Sequence, residues 1–188
     1  MDGATYYIGG NRALYHHHLT TQIYVTKIDV FSNKFLANRE IKGVQLYFHR
    51  IRPKKLGLGK ELVVFPASKL WFADKERTVL DLLVYPKLFG QYDGGAKMFS
   101  YAIEKVDVNL VCKYTLEFEP VSVCQRLGAL LDWLDIKPTL YKELLDKVQK
   151  SEVVSFFISD SEETGKFNKK WGIIINVELK EKLEMQWR

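Results

Sequence analysis

Three consecutive histidines, His16, His17 and His18, are the densest set of possible metal ligands in the chain. They fall in a segment typical of a short helix, in which consecutive side chains point about 100° apart. Two histidines of one helix converge on an ion when they are four residues apart. The spacing therefore predicts that these residues form no metal site, and we expect the protein to use no cofactor.

A second group of reactive side chains lies near the end of the sequence, where Asp160 precedes Glu178 and Lys180. Two carboxylates that hold Mg²⁺, with a lysine that assists the attacking water, are typical of metal-dependent nucleases. Glu-x-Lys is frequent by chance, however, and Asp160 lies at the edge of a polar loop rather than in a strand. A nuclease-like enzyme that uses Asp160, Glu178 and Lys180 is therefore the alternative to a protein that acts by binding; a generic protein-interaction module is a third option.

The positive charge of the chain is concentrated in its first third. Residues 1–60 carry ten Lys and Arg against three Asp and Glu, a net charge of +7, whereas the remainder carries a net charge of −2. A basic segment mixed with aromatic residues can neutralise phosphates, although a solvated basic hairpin has the same composition. The predicted nucleic-acid contacts are Arg39, Lys42, Arg50, Arg52, Lys54 and Lys55.

The composition is that of an ordinary globular protein. With 188 residues, 47% hydrophobic and 27% charged, the chain can bury a sizeable core, and we expect one domain over residues 1–188. Cys112 and Cys124 both lie in apolar, helix-like stretches, which indicates buried free thiols in a reducing compartment. No segment has the length and apolarity of a membrane span or a leader, so we expect a cytoplasmic protein with no membrane partner.

Both ends of the chain show strand patterns. Residues 22–27, 44–51, 61–65 and 69–72 have the β-branched and aromatic content of strands, and in the second of these Val44, Leu46 and Phe48 are predicted to pack on the core. Residues 153–159 and 172–177 are short apolar runs that we expect to pair with each other. Residues 160–170 between them are predicted to be an exposed loop.

Helical periodicity dominates the middle of the sequence. A short helix is predicted near Gly10 and Asn11, a second after a capping Asp74, and four more over residues 94–105, 107–118, 121–134 and 139–150. Arg77 and Asp81 are expected to form an ion pair on the surface of the second helix. The predicted fold is a mixed α/β domain of the α+β class, in which one mainly antiparallel sheet, built from both ends of the chain, packs against the central helices.

Six motifs, in order along the chain, resemble the pattern of the AbiEi family of antitoxins and transcriptional regulators. The family's Tyr-Tyr-Ile opening is followed by an Ala-Leu helix, a hydrophobic strand that ends in a basic segment, and an Asp-x-Glu-(Lys/Arg)-Thr-x-x-Asp helix start. A Gly pair, a Lys/Arg-Leu-Gly step and a closing segment that begins with Gly-Lys-Phe-Asn complete the series. In this sequence they are 6–20, 48–55 (FHRIRPKK), 73–81 (ADKERTVLD), 94–95, 126–128 and 165–176 (GKFNKKWGIIIN).

This resemblance implies a function in a type IV toxin–antitoxin system of the kind associated with phage defence. The antitoxin of such a system represses its own operon, with DNA as its partner, and counteracts a nucleotidyltransferase toxin without requiring a stable complex. Members of the family carry a winged helix-turn-helix before the Tyr-Tyr-Ile segment, and this chain begins almost at that segment. The resemblance therefore implies that residues 1–188 correspond to the C-terminal domain, with the DNA-reading helix absent.

Overall fold

The computed structural model describes residues 6–21, 26–89, 92–157 and 165–176, and it shows a mixed α and β architecture. Six strands from the first part of the chain form one sheet, in the order β3-β4-β2-β1-β6-β5. Three of its five pairings are antiparallel, and the β1–β6 and β2–β4 pairings are parallel. The strands are β1 (Tyr6–Gly9), β2 (Lys27–Ser32), β3 (Arg39–Ile41), β4 (Val44–Arg50), β5 (Lys60–Phe65) and β6 (Ser68–Ala73).

Six helices, one of which lies between the first two strands, follow the periodicity of the sequence closely. Asp74 caps the second of them as predicted, since its side-chain oxygen accepts a hydrogen bond from the backbone N–H of Arg77 at 2.7 Å. The helices are α1 (Gly10–His16), α2 (Lys75–Val84), α3 (Tyr92–Ile103), α4 (Val108–Phe118), α5 (Val121–Trp133) and α6 (Tyr141–Gln149). The fold class predicted from the sequence is thus confirmed.

The larger of two cores lies among the helices. Both cysteines are free and buried in it, as predicted, and burial raises the pKa of the Cys112 thiol to about 12. The smaller core lies against the large sheet and includes Tyr7, Phe31 and Phe72.

Within the described residues, strands from the two ends of the chain form two separate sheets rather than one, so that part of the predicted architecture was wrong. The last part of the chain forms a separate three-stranded sheet in which β9 lies between β7 and β8. The predicted pairing of the two late apolar runs is confirmed, because β7 and β9 are parallel neighbours. These strands are β7 (Ser155–Phe156), β8 (Lys166–Asn168) and β9 (Ile173–Ile175); β8 falls within the predicted exposed loop.

Two details of the first sheet also differ from the prediction. The sequence predicts a strand over residues 22–27, whereas the described strand β2 covers Lys27–Ser32; residues 22–25 lie outside the described part of the chain. The buried Asp29 interrupts the hydrophobic pattern there, and its carboxylate is satisfied by His49 at 2.8 Å. A polar residue inside the strand therefore hid its true extent.

The face of β4 that packs on the core was also predicted incorrectly. Val44, Leu46 and Phe48 are only half-buried and belong to neither core cluster. Parallel pairing places His49 of β4 beside the fully buried Phe31 of β2, and their rings are 4.9 Å apart. His49 consequently faces the core, while the Phe48 side is left partly open.

A close approach between α5 and the second sheet fixes the C-terminal part of the fold. Trp171 is fully buried, and a Cβ atom added to Gly128 would lie 2.2 Å from its indole ring. The indole N–H donates to the Asp132 carboxylate at 2.7 Å, and Lys170 pairs with the same oxygen at 2.7 Å. Gly128 is therefore required because no larger residue leaves room for the tryptophan.

We expect Gly128→Ala to lower the free energy of unfolding by about 1–3 kcal/mol, because the new methyl group overlaps the indole ring. Urea denaturation followed by tryptophan fluorescence measures the change. Gly57→Ala is the matched control, since a Cβ atom at Gly57 meets only a backbone oxygen at 3.5 Å. Equal stability of the two variants would contradict this account of Gly128.

Candidate functional site

The basic residues selected from the sequence occupy three different environments. Arg39, Arg50, Arg52 and Lys54 are exposed and lie on, or just beyond, the β3–β4 hairpin; we call these four residues the basic edge. Lys42 is exposed at the other end of the hairpin, and Lys55 is turned inward. The structure thus places four of the six residues along one stretch of surface.

Arg39 and Arg50 share a face of the hairpin. Arg39 pairs with Leu46 in the antiparallel register, and its guanidinium lies 5.1 Å from the centre of the Phe48 ring. Arg50 is two residues beyond Phe48 and therefore projects to the same side of β4. The two cations flank a half-buried aromatic ring, an arrangement suited to phosphate contacts beside a stacking surface.

The remaining members of the basic edge continue from the end of β4. The buried Ile51 anchors the chain there, with its N–H donating to the Ser32 carbonyl at 2.8 Å, and the exposed Arg52 follows. Lys54 lies in a short 3₁₀ turn, Pro53–Leu56, with its ammonium 5.6 Å from the centre of the Phe118 ring. Anchoring of the apolar residues keeps the neighbouring cations at the surface.

Lys42 lies at the opposite end of the β3–β4 hairpin from Arg50. It lies in the turn between β3 and β4 with a φ of 50°. A strand rises about 3.3 Å per residue, so Lys42 is roughly 20 Å from Arg50 at the other end of β4. A ligand that spans several phosphates can reach both, but a compact one cannot.

Lys55, the sixth residue predicted as a nucleic-acid contact, is turned toward the interior of the domain. Its ammonium is 2.6 Å from an oxygen of Glu119, whose side chain is fully buried. The partner is 64 residues away in sequence, at the end of α4. Lys55 is therefore committed to an internal ion pair, which no local sequence pattern could indicate.

A buried network of hydrogen bonds connects the turn Pro53–Leu56, which carries Lys54 of the basic edge, to the rest of the domain. The Arg77 guanidinium donates to Asp81 at 2.8 Å, to the Tyr7 hydroxyl at 2.9 Å and to the Lys55 carbonyl at 3.1 Å. Arg77 and Asp81 are 2% and 0% exposed, so the ion pair predicted for the helix surface is in fact buried. The helix face that carries them packs on the large sheet and on the turn after β4.

The electrostatics of this network are consistent with a charged pair. Burial alone would lower the pKa of Arg77, but the Asp81 carboxylate raises it well above its ordinary value. Burial and the same carboxylate raise the pKa of Tyr7, so its hydroxyl keeps a proton and donates to Asp81 at 3.3 Å. Arg77, Asp81 and Tyr7 thus form hydrogen bonds with one another inside the domain.

His16, His17 and Glu61 form a second polar cluster, on a different part of the large sheet. One nitrogen of each imidazole and one oxygen of Glu61 all lie within 4.8 Å of one another. This contradicts the prediction that consecutive histidines cannot converge: α1 ends at His16, and the two rings meet edge to face with centres 4.9 Å apart. His18 is exposed and has a φ of 58°, which excludes it from the helix.

The residues of the nuclease alternative, Asp160, Glu178 and Lys180, lie outside the described residues. Within the described part of the chain, the His16–His17–Glu61 cluster is the group of three or more such side chains that could hold a metal ion. No helix in that part has the length and apolarity needed to cross a membrane.

Comparison with known proteins identifies a fold but no family. No protein-family model matches the sequence, and no curated protein matches it. Among solved structures, the chain is similar to the RV2827C protein from Mycobacterium tuberculosis, with a TM-score of 0.62 and 16% sequence identity. The match covers 92% of this chain and 63% of that protein, so this chain spans less than two thirds of its length. At this identity the two proteins share a fold, and the similarity shows no more than that.

The two adjacent lysines, Lys54 and Lys55, should behave differently when replaced. Lys55→Ala leaves the buried Glu119 carboxylate without its cation, and we expect a loss of about 3–5 kcal/mol of unfolding free energy. Lys54→Ala removes an exposed cation that lies over the half-buried ring of Phe118, and it should cost no more than about 1 kcal/mol. Urea denaturation of both variants measures the difference.

The double variant Lys55→Met/Glu119→Leu tests the cause of that loss. It removes both charges together and should recover much of the stability lost in Lys55→Ala. If Lys55→Ala is as stable as Lys54→Ala, the buried ion pair does not stabilise the domain.

Proposed function

We propose that this chain is an antitoxin and transcriptional autoregulator of the AbiEi kind, which acts by binding and counteracts a nucleotidyltransferase toxin. The motifs of the sequence suggest the family, and the basic edge is the observation that supports the binding role. Nucleic acid is the partner proposed for this surface.

The basic edge has the properties that a phosphate-binding surface requires. Its four cations are exposed, and over residues 26–60 nine Lys and Arg accompany only two acidic residues. One of those acids, Asp29, is buried and bonded to His49, so it contributes little negative charge at the surface. The local potential is therefore positive, and cations held on a strand can meet successive phosphates without first being ordered.

Two neighbouring features define the contact surface more closely. Arg39 and Arg50 flank Phe48, and Phe35, which lies in the connection before β3, is 84% exposed. A duplex would contact the arginines through its backbone, whereas a single strand could also stack bases on the phenylalanine rings. Backbone contacts carry no sequence information by themselves, so this surface would contribute affinity and orientation rather than operator choice.

The DNA-binding part of the proposal predicts a specific salt dependence. Binding to a duplex that carries the region upstream of the chain's own gene should weaken steeply between about 50 and 200 mM salt. The variant Arg39→Ala/Arg50→Ala/Arg52→Ala should bind more weakly and should reduce the slope of log K against log salt by about 2.7, since each lost phosphate contact contributes about 0.9. Fluorescence anisotropy at several salt concentrations measures both quantities.

A charge-matched control variant distinguishes binding through the basic edge from a general effect of the protein's net charge. Lys113, Lys142 and Lys150 are exposed on or beside α4 and α6, and replacing all three by Ala removes the same number of charges. This control should keep the slope of the unchanged protein. Undetectable binding, or equal slopes for both triple variants, would refute the proposed surface. Lys55 is left intact in these variants because its loss would destabilise the domain.

The antitoxin part of the proposal also predicts what the adjacent gene encodes. In a toxin–antitoxin system, the adjacent gene should encode a nucleotidyltransferase-like protein. The absence of such a gene would argue against the antitoxin function. It would not bear on DNA binding, which the salt dependence tests separately.

A further inference from the structure

Two imidazoles and a carboxylate meet where the end of α1 lies against β5. Nε2 of His16 is 3.5 Å from Oε1 of Glu61, and Nδ1 of His17 is 4.0 Å from the same oxygen. The ligand atoms come from two segments of the chain that are 45 residues apart in numbering and that the sheet brings together. The fold, and not the spacing of these residues in the sequence, therefore brings the two nitrogens and one oxygen together.

The orientation of His17 is fixed from behind. Its Nε2 lies 2.7 Å from the carbonyl oxygen of Ala73, which can only accept a hydrogen bond, so Nε2 carries the proton. In the neutral ring Nδ1 is then the nitrogen that carries a lone pair, and it lies 4.0 Å from Oε1 of Glu61. Metal-binding histidines are typically held in this way, with the other ring nitrogen bonded to a carbonyl or carboxylate. The side chain is 4% exposed, so the surrounding residues hold the ring in this orientation.

The His16 ring is placed by apolar contacts. It packs on Phe72 with ring centres 4.7 Å apart and meets His17 edge to face. Its side chain is 31% exposed, so an ion can reach Nε2 from solvent. The ring is thus positioned on one side by the protein and accessible on the other.

Glu61 completes the cluster from the strand. It pairs with Phe72 in the β5–β6 register, which places its side chain on the same face as the ring that supports His16. The preceding residue, Lys60, points to the opposite face of β5, where its ammonium lies 5.0 Å from the centre of the Trp71 ring. The Glu61 carboxylate is therefore directed at the imidazoles, and at 48% exposure it keeps room to adjust.

We propose that His16, His17 and Glu61 bind a divalent transition-metal ion of the zinc class. Two imidazole nitrogens and one carboxylate oxygen form a donor set that Zn²⁺ prefers, and at bond lengths of 2.0–2.1 Å its ligands lie about 3.3 Å apart. The distances of 3.5 and 4.0 Å approach this separation, and all three ligand atoms lie within 4.8 Å of one another, so small movements of the side chains would close the site. Three protein ligands leave a fourth position for water or another small ligand.

Occupation of this site would join the end of α1 to the start of β5. An ion that binds only the folded chain stabilises it in proportion to the logarithm of its concentration over the dissociation constant. The cluster lies on a different part of the sheet from the basic edge, so the metal site can be tested independently of DNA binding.

Zn²⁺ binding to the untagged full chain, stripped with a chelator beforehand, is the test. Isothermal titration should show one ion per chain, and His16→Gln and Glu61→Gln should each weaken binding by at least about tenfold. His18→Asn is the matched control, because it removes the adjacent exposed histidine and tolerates the positive φ at that position. This control should bind Zn²⁺ as the unchanged chain does.

Three results would overturn the proposal: no binding by the unchanged chain, full binding by Glu61→Gln, or an equal loss in His18→Asn. The last would show nonspecific binding by the histidine run. Circular dichroism in chelator establishes that each variant is folded.

Nitrogen chemical shifts of the histidine rings in the unchanged chain provide a readout that needs no variant. Zn²⁺ should shift the His16 Nε2 and His17 Nδ1 signals and leave those of His18 and His49 in place. Perturbation of His18 or His49 instead would also overturn the proposal. Because Cys112 and Cys124 are buried, Co²⁺ should give no thiolate charge-transfer absorption.

Discussion

Arg77 is a charged residue that is 2% exposed, and the fold of the first half of the chain is arranged around it. Its guanidinium reaches Asp81 on its own helix, Tyr7 on β1 and the Lys55 carbonyl in the turn after β4. A buried guanidinium is tolerated only when its hydrogen bonds are satisfied, so all three elements must keep their relative positions. The turn that follows β4 is thereby held against α2, and Lys54 of the basic edge is positioned with it.

This constraint separates two roles for neighbouring basic residues. Lys55 points inward to Glu119, whereas Arg50, Arg52 and Lys54 point to solvent, although all four belong to one short basic segment. The charge of the segment alone cannot distinguish Lys55 from the three exposed cations. The difference arises from the contact of Lys55 with the Glu119 carboxylate, which is 64 residues away in sequence. The surface available for phosphates is consequently smaller than the basic segment.

Local patterns predicted much of the fold. The helix after Asp74 and the helix over Val121–Trp133 follow directly from capping chemistry and from the three- and four-residue spacing of apolar residues. Errors arose where distant contacts decide the outcome: the buried Asp29 hid the extent of β2, and the separate sheet at the C-terminus depends on the contact of Trp171 with Gly128. The convergence of His16 and His17 on Glu61 escaped prediction for the same reason, because helical spacing says nothing about a strand that arrives from elsewhere.

Co-expression with the product of the adjacent gene tests the proposed function most directly. The toxin alone should arrest growth of the host, and the wild-type chain should restore it. Gly128→Ala is the destabilised variant and Gly57→Ala is its near-neutral control. Comparing them relates the recovery of growth to the amount of folded protein. Continued arrest, in cells where the folded chain accumulates in excess of the toxin, would contradict the antitoxin function.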